Sequence, residues 1–351
     1  METLLKLCVL AVLVCGAGSA QSGDPEPLSN RWVELNQFSV GTRLVVFDDG
    51  AGGPTSWALQ HQEIIEGTFR FDTLGKFSLR AAVADGDSIA AGWSNTGAGS
   101  SSGSSYRVNL KKIYLSAKPI SGVEIQYGGL GIERGASSAI ASYSGDSYLD
   151  GARIVVARPQ DLFFNEISVT KAWLGDLNAP NMFNRFRRLG GSNYQQYLVA
   201  KKFGKRFSSS ADYTNQWGSK TVRQAVHIGV AESRIFDAVQ FDLYERTNGT
   251  RANGFNFGVE KSVVRRISLS GGFTAIDKNY GDLNDDAFFH GDRVYAGANV
   301  RVSKSFCVFS LVNRAVDNNY AVPNLTHFHV GINYDLLGAI ARTGLFGGKQ
   351  I

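Results

Sequence analysis

The chain has 351 residues, with 40 Gly, 22 Phe and 13 Tyr against only 7 Pro and 2 Met, and a mean hydropathy of −0.12. Beyond the first twenty residues no stretch is apolar enough to cross a bilayer as a helix, and Cys307 is the one cysteine left there, which excludes an internal disulfide framework. A net charge of +5 and an isoelectric point near 9.0 lean weakly towards anionic partners.

Residues 1–20 read as a secretory signal. Lys6 precedes the apolar run Leu7–Val14, and small residues ending in Gly18, Ser19 and Ala20 predict cleavage after Ala20. The run is shorter than the roughly 20 residues a membrane helix needs. A lipid-modified Cys15 is a second reading, opposed by the bulk of Val14. Export leaves little room for nucleic acid as a partner. Residues 21–36 then form a polar lead, and a single domain is expected over residues 37–336.

In that domain about sixteen strand-like segments follow one another, with 14 or 18 as neighbouring possibilities. Most have the ~9–12 residues that a tilted membrane-crossing strand requires. Ser39–Phe47 leads through Gly50, Gly52 and Gly53 to Trp57–Phe71, and a tight turn at 72–75 gives Lys76–Ala84. A Ser- and Gly-rich loop, 85–105, precedes Tyr106–Ala117, which turns at 119–122 into Val123–Arg134. The loop 135–150 leads to Ala152–Val156 and Phe163–Leu174, and the long loop 175–192 to Tyr194–Phe203 and Phe207–Thr214. Thr221–Ala231, Phe236–Arg246, Gly254–Lys261 and Arg266–Ile276 come next. A polar loop, 277–290, precedes Asp292–Val302 and Phe306–Val316, and Leu325–Leu336 closes the series. Short and long connections alternate, as in an up-and-down barrel with short periplasmic turns and long outer loops, which places both termini in the periplasm.

Side chains alternate with period two where the pattern is clean. In Arg293–Val302 the even positions are all apolar; Val226, Ile228 and Val230 alternate with His227 and Gly229, and Val239, Phe241 and Leu243 with Gln240, Asp242 and Tyr244. The phase slips within Tyr106–Ala117 and Tyr194–Phe203, through bulges or misplaced boundaries. The predicted fold is therefore all-β, a closed antiparallel transmembrane barrel. A secreted sandwich or soluble barrel is the alternative, since alternation does not by itself say which face is inside.

His329, Gly331, Tyr334 and Leu336 in the last segment resemble the C-terminal assembly signal of outer-membrane proteins: polar, any residue, Gly, two of any, aromatic, any, hydrophobic. The resemblance implies that the barrel-assembly machinery reads Tyr334 and Leu336. Such chains usually end there on an aromatic, whereas this one continues through a tail, 337–351, in which Phe346 substitutes for that aromatic or a short helix forms. Over Ser39–Leu336 the chain is similar to the porins and porin-like exporters of Gram-negative outer membranes, including alginate-export-type barrels. That implies an outer-membrane location, contact with lipid and lipopolysaccharide, and a homo-oligomer as a possible assembly.

Arg223, His227, Gln240, Asp242, Arg246, Glu260, Arg293 and Arg301 fall on the face opposite the apolar one and are expected to line an aqueous lumen. The alternative is a plugged barrel whose interior charges pair among themselves. Arg185, Arg187 and Arg188, with Phe183 and Phe186, would form a positive constriction if their loop folds inwards; otherwise they are an external patch for lipopolysaccharide phosphates. Asp282, Asn284, Asp285 and Asp286 lack the spacing of a dedicated calcium loop, His327 and His329 lack further metal ligands, and Cys307 is read as a small lipid-facing residue. No catalytic grouping, metal site or cofactor site is recognised, and Ser100–Ser105 has no Lys at phosphate-loop spacing. The function expected is passive, weakly anion-preferring diffusion of small hydrophilic solutes. A non-transporting barrel with adhesive, structural or enzymatic work, or a dedicated polysaccharide exporter, is the alternative.

Overall fold

A strand that alternates apolar and polar side chains has two unlike faces, and a sheet of such strands can be covered by lipid on one side and water on the other. The computed structural model describes residues 28–29, 32–48, 56–86, 92–100, 103–104, 108–138, 140–141, 149–157, 163–175, 189–230, 234–281, 288–316 and 326–343. In chain order the strands are β1 (Leu28–Ser29), β2 (Val33–Asp48), β3 (Ser56–Arg70), β4 (Phe77–Asp85), β5 (Ser94–Gly99), β6 (Val108–Ile120), β7 (Val123–Leu130), β8 (Leu149–Val156) and β9 (Glu166–Leu174). They continue with β10 (Tyr194–Phe203), β11 (Phe207–Gln216), β12 (Ser219–Gly229), β13 (Ala238–Arg246), β14 (Ala252–Val264), β15 (Ile267–Ile276), β16 (Gly291–Arg301), β17 (Phe306–Ala315) and β18 (Thr326–Asp335).

Sixteen of these close into one antiparallel up-and-down cylinder. The seam is the pairing of β18 with β2, running from Thr326 opposite Asp48 to Asp335 opposite Ser39. The other two are accessories: β1 pairs with the start of β2, and β5 pairs with β3 at Ala58–His61, beyond the part of β3 held by β4. All sixteen predicted segments have a counterpart, and β10 agrees to the residue at both ends.

The faces are inverted relative to a water-soluble protein. On β13, Phe241 and Leu243 are 39% and 45% exposed on the outside, while Asp242 between them is 0% exposed. Ile65, Leu115, Ile154, Val169, Phe257, Val294 and Ile332 repeat the outward pattern, and Arg43, Asn109, Arg153, Gln196, Arg223 and Arg293 the inward one. An Arg or Lys turned to mid-membrane lipid would cost roughly 2–4 kcal/mol, so the polarity of the faces selects this orientation of every strand. Exposed Trp32, Phe69, Phe71, Phe77, Phe163 and Phe203 form an aromatic girdle at the short-turn rim.

The connections described throughout at that rim are the turns 71–76, 121–122, 204–206, 265–266 and 302–305; most of the longer connections join strand ends at the opposite, long-loop rim. Asp72 organises the first turn by accepting hydrogen bonds from the N–H groups of Leu74, Lys76 and Phe77. Desolvation opposes ionisation, but these donors together outweigh it and hold the carboxyl below its ordinary value. The shortest connection between described strands at the long-loop rim is Trp217 and Gly218, which, with φ of 49° and 83°, make the two-residue hairpin between β11 and β12. Two successive positive φ angles match the strand twist, and Gly218 supplies one without steric cost.

The two slips of phase have different causes. On β6 the register jumps by one residue at Lys111, a β-bulge. On β10 the register is unbroken, and the apolar Leu198 simply faces inwards. Cys307 corrects its predicted placement: it shares the face of Asn313, which accepts a hydrogen bond from Arg293, and of Phe309, whose ring meets Trp93 and His329, so it faces the interior. This part of β17 is apolar on both faces because aromatic side chains cover it from inside. After β18 the helix α1 (Leu336–Thr343) begins, capped by Asp335, whose carboxylate accepts from Gly338 N–H at 2.9 Å. Leu336 thus opens the helix, and Leu337 is fully buried. Among the described residues no helix is long and apolar enough to cross a membrane.

Candidate functional site

The segment predicted as the end of the strand Val123–Arg134 leaves the wall instead. β7 stops at Leu130, and residues 131–138 and 140–141 lie across the interior face of the barrel. Irregular backbone inside a barrel must find hydrogen-bond partners there, and the wall provides them. Gly131 O accepts from Arg153 Nη2 at 2.5 Å, and Glu133 O accepts from Gln196 Nε2 at 2.8 Å and Arg223 Nη2 at 3.4 Å. Ala136 donates its N–H to Ser210 Oγ at 2.8 Å and accepts from Gln240 Nε2 at 3.0 Å. Ser138 donates its N–H and its hydroxyl to Asp242. Ile140 and Ala141 then pack among Tyr244, Ala252, Ile276, Tyr280 and Phe288. Side chains from β8 to β15 thereby hold this strap.

Gly135 explains how closely it lies. Its φ is 61°, and a Cβ there would sit 2.6 Å from Ser210 Cβ and 3.0 Å from Leu198 Cδ1. The inward Leu198 is therefore the floor on which the strap rests.

Asp242 is the principal anchor. Besides Ser138 it accepts from Gln240 Nε2 at 2.6 Å, Tyr244 Oη at 3.0 Å and Asn256 Nδ2 at 3.0 Å. Arg223 is neutralised by Asp212, with Nε at 3.0 Å and Nη2 at 2.9 Å from its Oδ2. Arg246 donates to the carbonyls of Asn248 at 3.2 Å and Asn279 at 2.9 Å, and Arg293 donates to Asn313 at 3.0 Å while lying over Phe289. His227 and Arg301 lie half-buried on the same interior phase, and Glu260 is exposed on it.

A second segment also turns inwards, beside β2. The Trp93 ring receives the Arg43 guanidinium at 4.5 Å and approaches Phe309 at 6.1 Å. Arg43 Nε donates to Gln60, which in turn donates to Asn95. Phe47 stacks on His327 at 4.5 Å.

Arg185, Arg187, Arg188 and residues 282–286 lie outside the described residues. The sequence reading missed the strap, Trp93 and Glu133; Gly128, Gly129 and Gly131 were the available signal, since successive glycines weaken a strand. One group of three metal-capable side chains occurs among the described residues. His61 Nδ1 lies 3.2 Å from Glu63 Oε2 and 3.0 Å from Asp85 Oδ2, on the outer face of β3 and β4 opposite Val40 and Thr42.

A closed sixteen-strand cylinder, apolar outside and charged inside, with a loop lashed across its interior, is a porin-like barrel. A substituted form of Rhodopseudomonas blastica porin is 12% identical with a TM-score of 0.54, and another is 14% identical at 0.52. A chain described under asymmetric conductivity of engineered proteins is 13% identical at 0.52. Each covers 86% of this chain and 99% of its own length, a likeness of fold. No protein-family model and no curated protein matches the chain.

Proposed function

We propose that the protein is a porin-like channel of the bacterial outer membrane, through which small hydrophilic solutes diffuse down their own gradients. The observation that carries this reading is the inversion of polarity. Buried Arg, Asp, Asn and Gln side chains converge on the interior, while large apolar residues are exposed outside. Its work is positional and electrostatic, without enzymatic chemistry, and interior guanidiniums give a weak preference for anions. The strap sets the free cross-section.

Exposed Lys171, Lys220 and Arg314 on the outside, near the long-loop rim, suit lipopolysaccharide phosphates. The barrel-assembly machinery is the expected insertion partner through His329, Gly331, Tyr334 and Leu336. The outward His61 and Glu63, whose side chains remain partly exposed, would be costly against lipid, which supports a homo-oligomer that covers them. Crosslinking of detergent-purified protein tests that assembly; a monomer at every concentration refutes it.

Planar-bilayer recording tests the channel itself. Stepwise currents that scale with salt are expected, and repeated silence would favour a barrel closed by its own strap and interior ion pairs. Heat-modifiable migration and envelope fractionation test the membrane assignment.

A further inference from the structure

We infer that the niche between the strap and the outer ends of β10, β11 and β12 binds a small organic oxyanion, a carboxylate or a phosphate ester. The inference deepens the channel reading, which accounts for how the ligand arrives. A cavity of about 250 Å³ is lined there by Tyr194, Trp217, Ser219, Arg223, Arg246 and Tyr280, among others. That is close to the lower end of the ~300–1,000 Å³ typical of small-molecule sites.

Two buried polar atoms around it, Arg223 Nη1 and Ser219 Oγ, have no hydrogen-bond partner among the described residues, and the Tyr194 hydroxyl beside them interacts only with Thr214 there. Tyr194 and Arg223 are 1% and 3% exposed, so bulk water does not satisfy them. Arg223 spends its other two nitrogens on Asp212 and the Glu133 carbonyl, which leaves Nη1 for the cavity. A guanidinium nitrogen only donates, and both hydroxyls are able to donate, so the complementary group is rich in acceptors.

Charge points the same way. Asp212 offsets Arg223, whereas Arg246 is held by the carbonyls of Asn248 and Asn279 and has no carboxylate within 4.0 Å among the described residues. Among the described residues the niche is therefore net positive, and its donors suit an oxyanion better than a cation or a neutral sugar. Trp217 and Tyr280 offer ring surface to the organic part of the ligand.

Calorimetric titration of the full-length, detergent-folded barrel tests the site, with gluconate, inorganic phosphate and glucose as probes. Gluconate or phosphate should bind and glucose should not; whichever anion binds alone identifies the preferred head group. Tyr194→Phe combined with Ser219→Ala removes two hydroxyls and leaves the backbone ladders of β10 and β12 intact, heat-modifiable migration checks that the variant folds, and anion affinity should fall about tenfold or more. Arg246→Gln should erase the preference for anions over glucose. Glucose binding as tightly as the anions, or unchanged affinity in the folded double variant, overturns the proposal. Anion binding with silent bilayers keeps the site and removes the channel reading; conduction without binding does the reverse.

Discussion

Replacing Asp242 by Ala should release the strap without unfolding the barrel. Asp242 holds both the N–H and the hydroxyl of Ser138, and it also organises Gln240, Tyr244 and Asn256 behind them. A hydrogen bond to a charged acceptor contributes about 1.5–3 kcal/mol. Two such bonds would give roughly 3–6 kcal/mol, but the 3.4 Å amide contacts are long and released groups can meet water. A net loss of about 2–3 kcal/mol remains, a shift of roughly 30- to 150-fold towards the detached strap. The wall ladder on both sides of β13 involves backbone only and persists. Hydrogen exchange at the Ala136 and Ser138 amides should therefore accelerate by that factor while the melting temperature changes little, and single-channel conductance and its noise should rise. Asp242→Asn, which keeps one acceptor, should lie between. Unchanged protection at Ser138 together with unchanged conductance would refute the anchoring argument.

Gly135→Ala should detach the same segment through strain, at about 1–3 kcal/mol, because a left-handed φ and two close contacts coincide there; unaltered exchange at Ala136 would count against it. Replacing Arg185, Arg187 and Arg188 together by Ala should lower anion preference, and unchanged reversal potentials would remove that loop from the conduction path. Acid should loosen the short-turn rim. Asp237, bonded first by Lys261 and then by the Ser262 N–H, titrates below its ordinary value, as Asp72 does. A depressed carboxyl stabilises the fold above its unfolded pKa and loses that contribution as pH falls through the folded one, so the loss falls below about pH 3.8. Urea midpoints measured through that window should drop in the parent more than in Asp72→Asn with Asp237→Asn; equal drops would contradict the assignment.

The wall was legible because period-two alternation is a local property. Tyr194–Phe203 and the Arg293–Val302 pattern each declare two faces within ten residues, whatever the rest of the chain does. Which face is wet followed from the charges alone. The strap is different in kind. Residues 131–141 have no period, and their partners at Ser210, Gln240 and Asp242 are 74 to 104 residues away, so nothing nearby in sequence marks them as interior. Leu198 and Cys307 illustrate the same limit. Each looks out of phase or lipid-facing until the segments that cover the inside, the strap in one case and Trp93 with Phe309 in the other, are placed. The bulge at Lys111 likewise depends on β4 as well as β6.

The joint between β2 and β18 sets the order of events during folding. Its two halves sit at opposite extremes of the domain, so the ring has two raw edges until the last strand is delivered, and every earlier intermediate is an open, adhesive ribbon. Completion is then a single late act that makes all sixteen strands interdependent, and a chain cut before Thr326 should stick to its neighbours instead of finishing as a smaller ring.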